Sequence, residues 1–111
     1  MIAMLTGVIA RKTASGVILD VGGVGYDVFC PLTALDGMPP TNERTSLSIH
    51  THVREDQITL FGFSNDEQKR IFRLLISVSG IGPKLGLACL SGMNVNDLCS
   101  AIGSEDAKRL S

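Results

Sequence analysis

The sequence contains no tryptophan, and aromatic residues make up only 5% of its 111 residues. Small barrels that bind single-stranded nucleic acid usually stack several bases on aromatic side chains, so this composition argues against that class. The formal net charge is −1, and charged residues make up 19% of the chain. Because there is no general basic excess, any contact with a polyanion has to come from a few well-placed groups.

Other absences indicate the cellular setting. The three cysteines, Cys30, Cys89 and Cys99, are odd in number and form neither a CxxC pair nor a disulfide framework, so we expect buried free thiols in a reducing cytoplasm. The first residues hold no basic segment and no long apolar stretch, so we expect no signal peptide. No apolar run approaches the ~20 residues of a membrane span. The sequence therefore predicts a cytoplasmic protein that does not bind a membrane.

The first half of the chain has the pattern of β-strands. Strands are predicted at 4–12, 16–21, 24–30 and 58–63, and a fifth is indicated by apolar residues that alternate with polar ones: Leu47, Ile49, Thr51 and Val53. Gly22-Gly23 predicts a tight hairpin turn, and residues 31–42 predict a loop with one helical turn. Five short strands joined mainly by hairpins predict a small closed barrel, such as an OB-fold.

The second half changes to the period of helices. Ser64, with Glu67 three residues later, forms a capping box that predicts a helix N-cap at Ser64. Apolar residues then follow at helical spacing in three groups: Ile71, Leu74, Leu75 and Val78; Leu85, Ala88 and Cys89; and Val95, Leu98, Cys99 and Ile102. Ser104 is predicted to cap a fourth helix, which reaches Ser111 without a stop signal. We therefore expect this chain to be part of a longer protein.

The motif Ser79-Gly-Ile-Gly-Pro-Lys84 lies between the first two predicted helices. A Gly-x-Gly pattern is also found in dinucleotide-binding folds, but those need a strand before it. Here an amphipathic helix precedes the glycines, and Pro83 stands where a helix commonly begins. The pattern therefore favours a helix–hairpin–helix, and the alternative is a plain turn that happens to contain two glycines.

The hairpin has the chemistry of a phosphate site. We expect Gly80 and Gly82 to adopt backbone angles closed to other residues, and their N–H groups to point outward with those of the next helical turn. The helix dipole adds partial positive charge, Lys84 adds a full charge, and Ile81 is expected to point inward and anchor the hairpin. The candidate DNA-binding residues are Ser79, Gly80, Ile81, Gly82 and Lys84. Such binding should be salt-sensitive and independent of base sequence.

Two further groups of side chains are candidates for binding. His50 and His52 occupy alternate positions of one strand, a spacing that can bind zinc, but no third ligand has a suitable spacing, so polar strand residues are the favoured interpretation. Lys69, Arg70 and Arg73 lie on the predicted exposed face of the first helix, where they either approach DNA or stay solvated.

Motifs along the whole chain point to one family. They are Met1-Ile2, Val21-Gly-Gly-Val-Gly-Tyr26, Val53-Arg-Glu-Asp56, Leu60-Phe-Gly-Phe63, Ser79-Gly-Ile-Gly-Pro-Lys84 and Leu90-Ser-Gly-Met93. In this order they resemble RuvA, the family of bacterial Holliday-junction-binding proteins. Ala3 replaces the glycine usual in the family, and Phe61 replaces a frequent tyrosine. The resemblance implies an α+β chain with a five-stranded OB-fold domain over 1–63. It also implies a helix–hairpin–helix domain over 64–111 that stops before the family's second hairpin.

The resemblance also implies a function. Members of the family are non-catalytic subunits that bind four-way junction DNA in recombination and repair, as homotetramers or octamers. They recruit the ATPase RuvB through a C-terminal domain absent from this chain, and the resolvase RuvC is a further implied partner. No P-loop is present, so ATP hydrolysis is expected to belong to RuvB, and no cofactor is expected.

The resemblance gives a role to an acidic turn. On residue types alone, Glu55 and Asp56 are a solvated hairpin tip. In the family the matching turn is a pin at the junction centre, where carboxylates repel phosphates and limit the binding of ordinary duplex. Arg54 would brace this turn or touch a strand. Two other functions stay open on the residues alone: a hairpin that docks a DNA repair enzyme, and an OB-fold scaffold that binds only protein.

Overall fold

A computed structural model describes residues 1–78 and 80–92. Its elements in chain order are β1 (Met4–Lys12), β2 (Gly16–Val21), β3 (Val24–Phe29), α1 (Leu32–Leu35), β4 (Arg44–Arg54), β5 (Gln57–Phe63), α2 (Asp66–Ser77) and α3 (Pro83–Gly92). The strands form a closed barrel in the order β1-β2-β3-β5-β4. This confirms the predicted five-stranded barrel of OB type followed by helices. The third and fourth predicted helices lie outside the described residues.

Strand pairing in the barrel is antiparallel except between β3 and β5, whose parallel contact completes the closure. The β2–β3 hairpin turns at Gly22 and Gly23, with Val21 paired to Val24. Both glycines have positive φ, +61° and +93°, as the favoured two-residue hairpin turn requires. The N–H of Gly23 also donates to the Asp20 carboxylate at 2.8 Å. The predicted tight turn is confirmed.

The barrel interior is filled by residues at alternate strand positions. The buried aliphatic side chains of the first, second and fourth strands are Leu5, Ile9, Val17, Leu19, Leu47 and Ile49. The alternation predicted for β4 does not continue to its end, because Val53 is exposed together with its cross-strand partner Ile58. The end of the β4–β5 hairpin therefore does not contribute these two side chains to the core.

A second apolar cluster joins the helices to the barrel. Its buried members are Phe61, Phe63, Ile71, Phe72, Leu75 and Leu90. The ring of Phe72 lies 5.0 Å from that of Phe63 and 5.2 Å from that of Phe61, measured between centroids. Aromatic pairs at these separations add to the gain from burial. Helix α2 is thus held against β5, and this contact helps to position the hairpin that follows the helix.

The N-cap of α2 is Asn65, and the prediction of Ser64 is wrong by one residue. The Asn65 side chain accepts the N–H of Gln68 at 2.9 Å, and the Gln68 side chain accepts the N–H of Ser64 at 2.9 Å. The side-chain cap predicted for Ser64 is therefore made by Asn65, and the Gln68 side chain bonds the N–H of Ser64, the residue before the cap. Both pairs have suitable residue types at the same spacing, so the sequence pattern could not separate them.

The buried faces of the helices differ in part from the predicted ones. Leu74 is 43% exposed and Leu85 is 50% exposed, whereas Gly86 is buried. A Cβ atom at Gly86 would lie 3.1 Å from the Phe72 ring, so the missing side chain allows α3 to approach α2 closely. Ala88 is also exposed. The apolar face predicted for α3 is therefore wrong for Leu85 and Ala88 and confirmed for Cys89, which packs against the second cluster; Gly86, which makes the close contact, has no side chain to signal it.

The cysteines are free thiols where the structure describes them. Cys30 is buried in the barrel, and Cys89 is half-buried beside the second cluster; Cys99 lies outside the described residues. Burial raises the pKa of the Cys30 thiol to about 12, although a backbone hydrogen bond from Gly62 acts in the opposite direction. Within residues 1–78 and 80–92, no helix is long and apolar enough to cross a membrane.

Candidate nucleic-acid interface

The hairpin between α2 and α3 contains a left-handed glycine. Gly80 has a φ of +88°, which glycine adopts at little cost. The N–H of Ile81 donates to the carbonyl of Val78 at 3.1 Å and closes the turn. The Ile81 side chain packs against the second apolar cluster, which confirms that it points inward. Gly82 has no positive φ, so the expectation of an unusual angle is confirmed for Gly80 and wrong for Gly82.

Several backbone N–H groups of this hairpin have no internal backbone partner. Among residues 1–78 and 80–92, the N–H groups of Gly80, Gly82, Lys84 and Leu85 donate to no backbone carbonyl. The last two are first-turn donors of α3, which have no partner inside the helix. A Cβ atom at Gly80 or Gly82 would meet no atom within 4 Å, so this side is open. These N–H groups can bind an oxyanion. The N–H of Ile81 is not among them, because it already donates to the carbonyl of Val78.

Charge at the hairpin comes from Lys84, which is exposed in the first turn of α3. The ammonium group adds to the partial positive charge at the helix N-terminus. Ser79 lies outside the described residues. Backbone donors beside one flexible cation are typical of a phosphate site that does not distinguish bases.

The acidic turn lies at the end of the β4–β5 hairpin. Arg54 pairs with Gln57, so Glu55 and Asp56 form a two-residue turn, and both are exposed. The Nε–H of Arg54 donates to Nε2 of His52 at 3.2 Å, which holds the guanidinium along its own strand. Two carboxylates are thus presented to solvent, and a guanidinium lies directly behind them.

The two histidines lie on the outer face of the barrel. Their ring centroids are 6.2 Å apart, and His50 also lies 5.6 Å from the Phe72 ring. Within the described part of the chain, no three potential metal ligands cluster. The pKa of His50 is lowered, first by burial and then by the positive charge of Arg73, with smaller effects from His52 and Lys69. Burial beside the aromatic rings thus favours the neutral form of the His50 imidazole.

The basic side chains of α2 border a shallow groove of about 560 Å³. Arg70 and Arg73 are exposed, as predicted. Lys69, in contrast, is half-buried, and its Nζ donates to the carbonyl of Ala3 at 3.4 Å. Asp66 lies in the same groove and offsets part of the positive charge. This face of α2 therefore presents two exposed cationic side chains, Arg70 and Arg73, and not the three that the sequence predicted.

A larger groove of about 770 Å³ separates the barrel from the hairpin, and sequence reasoning missed it. Its barrel side includes Phe29, Arg54 and Thr59, and its helical side includes Lys84 and Leu87. These residues come from four separate elements, so no local pattern could have indicated the groove. It extends from Arg54, next to the acidic turn, to Gly82 and Lys84 of the hairpin.

Comparison with known proteins agrees with this architecture. Residues 1–62 match the family described as RuvA N terminal domain, and residues 72–111 match the family described as SAM-like Helix-hairpin-helix tandem. A relative from Methylibium petroleiphilum is 44% identical over 110 residues, which cover 99% of this chain and 57% of the relative. A relative from Geobacter sulfurreducens is 49% identical over 111 residues, covering 100% of this chain and 56% of the relative.

A third relative, from Geotalea daltonii, is 49% identical over 110 residues, covering 99% of this chain and 55% of the relative. Each of the three is named Holliday junction branch migration complex subunit RuvA. The chain spans a little over half the length of these curated relatives.

Proposed function

The chain belongs to the RuvA family, and we propose that it binds four-way junction DNA as a subunit without an active site of its own. The observation that carries this proposal is the open row of N–H groups at Gly80, Gly82 and the first turn of α3, with Lys84 beside it. These groups have the chemistry to hold one backbone phosphate. Binding through them is independent of base sequence and weakens with salt.

Each residue of the hairpin has its own proposed role in binding the phosphate. The amides of Gly80 and Gly82 face the phosphate, Lys84 supplies the full positive charge, and Ser79 is proposed to contribute at the start of the turn. Ile81 acts through its side chain, which anchors the hairpin to the second apolar cluster, because its N–H already donates to Val78.

The acidic turn is proposed to act at the centre of the junction. Glu55 and Asp56 are exposed at the hairpin tip, where their charges repel approaching phosphates. A continuous duplex would have to pass its backbone across this turn, whereas a junction has an opening between its arms. The turn thus disfavours linear duplex. Arg54, whose Nε–H bonds His52 of its own strand, is proposed to support the turn or to touch a DNA strand.

Assembly accounts for a DNA-binding protein with a net charge of −1. A homotetramer, or two tetramers as an octamer, would present one hairpin to each of four arms, so that one weak site is used several times. In this proposal the barrel domain over 1–63 carries the acidic turn and the helical domain over 64–111 carries the phosphate site. The longer assembly would recruit the ATPase RuvB, and RuvC as a further partner, in the bacterial cytoplasm.

A gel-shift comparison tests the proposal. The 111-residue chain is titrated against a four-way junction and a linear duplex of equal length, at low and moderate salt. We expect a preference for the junction that weakens as salt rises. Lys84→Glu should weaken junction binding and reduce the salt dependence by about one phosphate contact.

Arg44→Glu is the matched control, since it makes the same change of charge on an exposed residue at the far end of β4 from Arg54. Equal junction binding by wild type and Lys84→Glu would overturn the phosphate site. Cleavage or base release by the purified chain would favour a repair enzyme instead.

A further inference from the structure

We propose that the groove between the barrel and the hairpin binds one unpaired nucleotide of a DNA strand whose phosphate lies at the hairpin. This inference rests on the proposed function and names a second ligand group for the same surface. The groove has a volume of about 770 Å³, within the range of pockets that enclose small organic molecules. A single nucleotide belongs to this size class, whereas a duplex is far larger.

The floor of the groove is apolar and partly aromatic. Phe29 is half-buried there, and its ring lies 6.0 Å from that of Phe61, which is itself almost fully buried and holds Phe29 in place. Leu87 and Pro83 complete the floor from the side of α3. A phosphate backbone alone would leave these carbon atoms without a partner. A nucleobase is flat and apolar on its faces, and it stacks on an aromatic ring irrespective of base type.

The rim of the groove is cationic. Arg54 lies on the barrel side, and Lys84 lies on the hairpin side. The Nε–H of Arg54 is used on His52, which leaves the other N–H groups of the guanidinium for a ligand. An apolar floor with positive charge at its edge is complementary to a base that is linked to phosphates.

Continuity with the hairpin identifies the occupant. Gly82 and Lys84 belong both to the proposed phosphate site and to the wall of the groove. A nucleotide whose phosphate is bound at Gly82 can therefore reach the apolar floor of the groove without a second binding site for its backbone. A paired base would have to leave its stack first, which costs several kcal/mol, whereas an unpaired base enters at lower cost. The geometry therefore favours a DNA strand with an unpaired base beside the bound phosphate.

Thr59 provides a way to fill the groove without touching the phosphate site. It is half-buried on β5, directly opposite His52, and its side chain lines the groove. Thr59→Tyr places a ring in the space meant for the base, and a strand accepts tyrosine well. Thr6→Tyr is the matched control, because Thr6 lies on β1 beside Ser46 and is not part of the groove wall.

The test compares two four-way junctions by fluorescence anisotropy, one fully paired and one with a single extra adenine beside the crossover. We expect wild type and Thr6→Tyr to bind the bulged junction about tenfold more tightly, the effect of stacking one base on an aromatic ring. Thr59→Tyr should lose this preference and bind the fully paired junction as wild type does.

Equal affinity of the wild type for both junctions, or a preference that survives in folded Thr59→Tyr, would overturn the groove assignment. The proposed function would stand in either case, because it requires only that the fully paired junction be bound. A second measurement does not depend on a variant: 2-aminopurine replaces the extra adenine, and acrylamide quenching is recorded. We expect the wild type to protect this base, and undiminished quenching would also overturn the assignment.

Discussion

The side-chain hydroxyl of Ser91 accepts the backbone N–H of Leu32 at 2.9 Å and so joins the end of α3 to α1. The same hydroxyl donates to the carbonyl of Leu87 at 2.8 Å, and Thr33 Oγ1 donates to the carbonyl of Leu90 at 3.3 Å. Because α1 follows β3 directly, these bonds tie the hairpin domain to the barrel at a second place besides the aromatic cluster. The distance between the acidic turn and the proposed phosphate site depends on both connections.

Replacing Ser91 by alanine is expected to lower the free energy of unfolding by about 1 kcal/mol, the net worth of the lost hydrogen bonds. Ser91→Thr retains a hydroxyl and should recover most of the loss. Urea denaturation followed by circular dichroism measures both variants. An unchanged midpoint in Ser91→Ala would show that the connection to Leu32 adds no stability.

Alanine substitutions at the two hairpin glycines should have different effects. Gly80→Ala should lower the free energy of unfolding by about 1–2 kcal/mol, because alanine is strained at a φ of +88°. Gly82→Ala should leave stability nearly unchanged, since its φ is ordinary and a Cβ atom would meet open space. It should nevertheless weaken junction binding, because the new methyl group stands where the phosphate approaches. Denaturation and gel-shift titrations of both variants check this contrast, and wild-type junction affinity in Gly82→Ala would count against it.

Neutralising the acidic turn should relax the selection against linear duplex. The double variant Glu55→Gln with Asp56→Asn removes two exposed charges and changes little else, since both residues lie in a two-residue turn. We expect linear duplex to bind several-fold more tightly, whereas junction binding should change less. The control is Asp27→Asn with Glu43→Gln, which removes the same charge from other exposed positions. If both double variants raise duplex binding equally, net charge and not the turn is responsible.

The buried thiol predicts a pH dependence of stability. Burial raises the pKa of Cys30 from 9.0 to about 12, so between these values the unfolded chain loses a proton that the folded chain keeps. The free energy of unfolding should therefore fall as the pH rises through this window, by at most about 1.4 kcal/mol per pH unit from this group. Cys30→Ala should show a smaller fall, as measured by urea denaturation from pH 8 to 11. Parallel curves for the two proteins would contradict this assignment.

Much of the fold could be predicted because it depends on local patterns. The β2–β3 hairpin follows from Gly22-Gly23 between two strands, and the barrel follows from short strands with alternating burial. The errors arose where two local choices are equivalent or where a tertiary contact decides. Asn65 and Ser64 are equally good caps by residue type, and only the hydrogen bond that Asn65 accepts from the N–H of Gln68 identifies the cap. The buried face of α3 depends on Gly86, whose contact with Phe72 has no signature in a hydrophobic pattern.

Only the part of the candidate site whose groups are close together in sequence could be predicted. The motif around Gly80 and Lys84 indicates a phosphate site because its donors are close in sequence. The internal use of the Ile81 amide could not be predicted, since it depends on the angles that Val78 and Gly80 adopt. The groove beside the hairpin was hidden for a different reason: barrel closure brings β3 beside β5, and the packing of the helices on the barrel places α3 opposite them.

The most direct test of the phosphate site follows the backbone amide resonances of the ¹⁵N-labelled chain during titration with a four-way junction. We predict that the largest chemical-shift changes occur at Gly80, Gly82 and the first turn of α3. These changes should disappear in Lys84→Glu and persist in Arg44→Glu. Unchanged resonances at the two glycines, with the main changes at Arg70 and Arg73 of α2, would contradict the account.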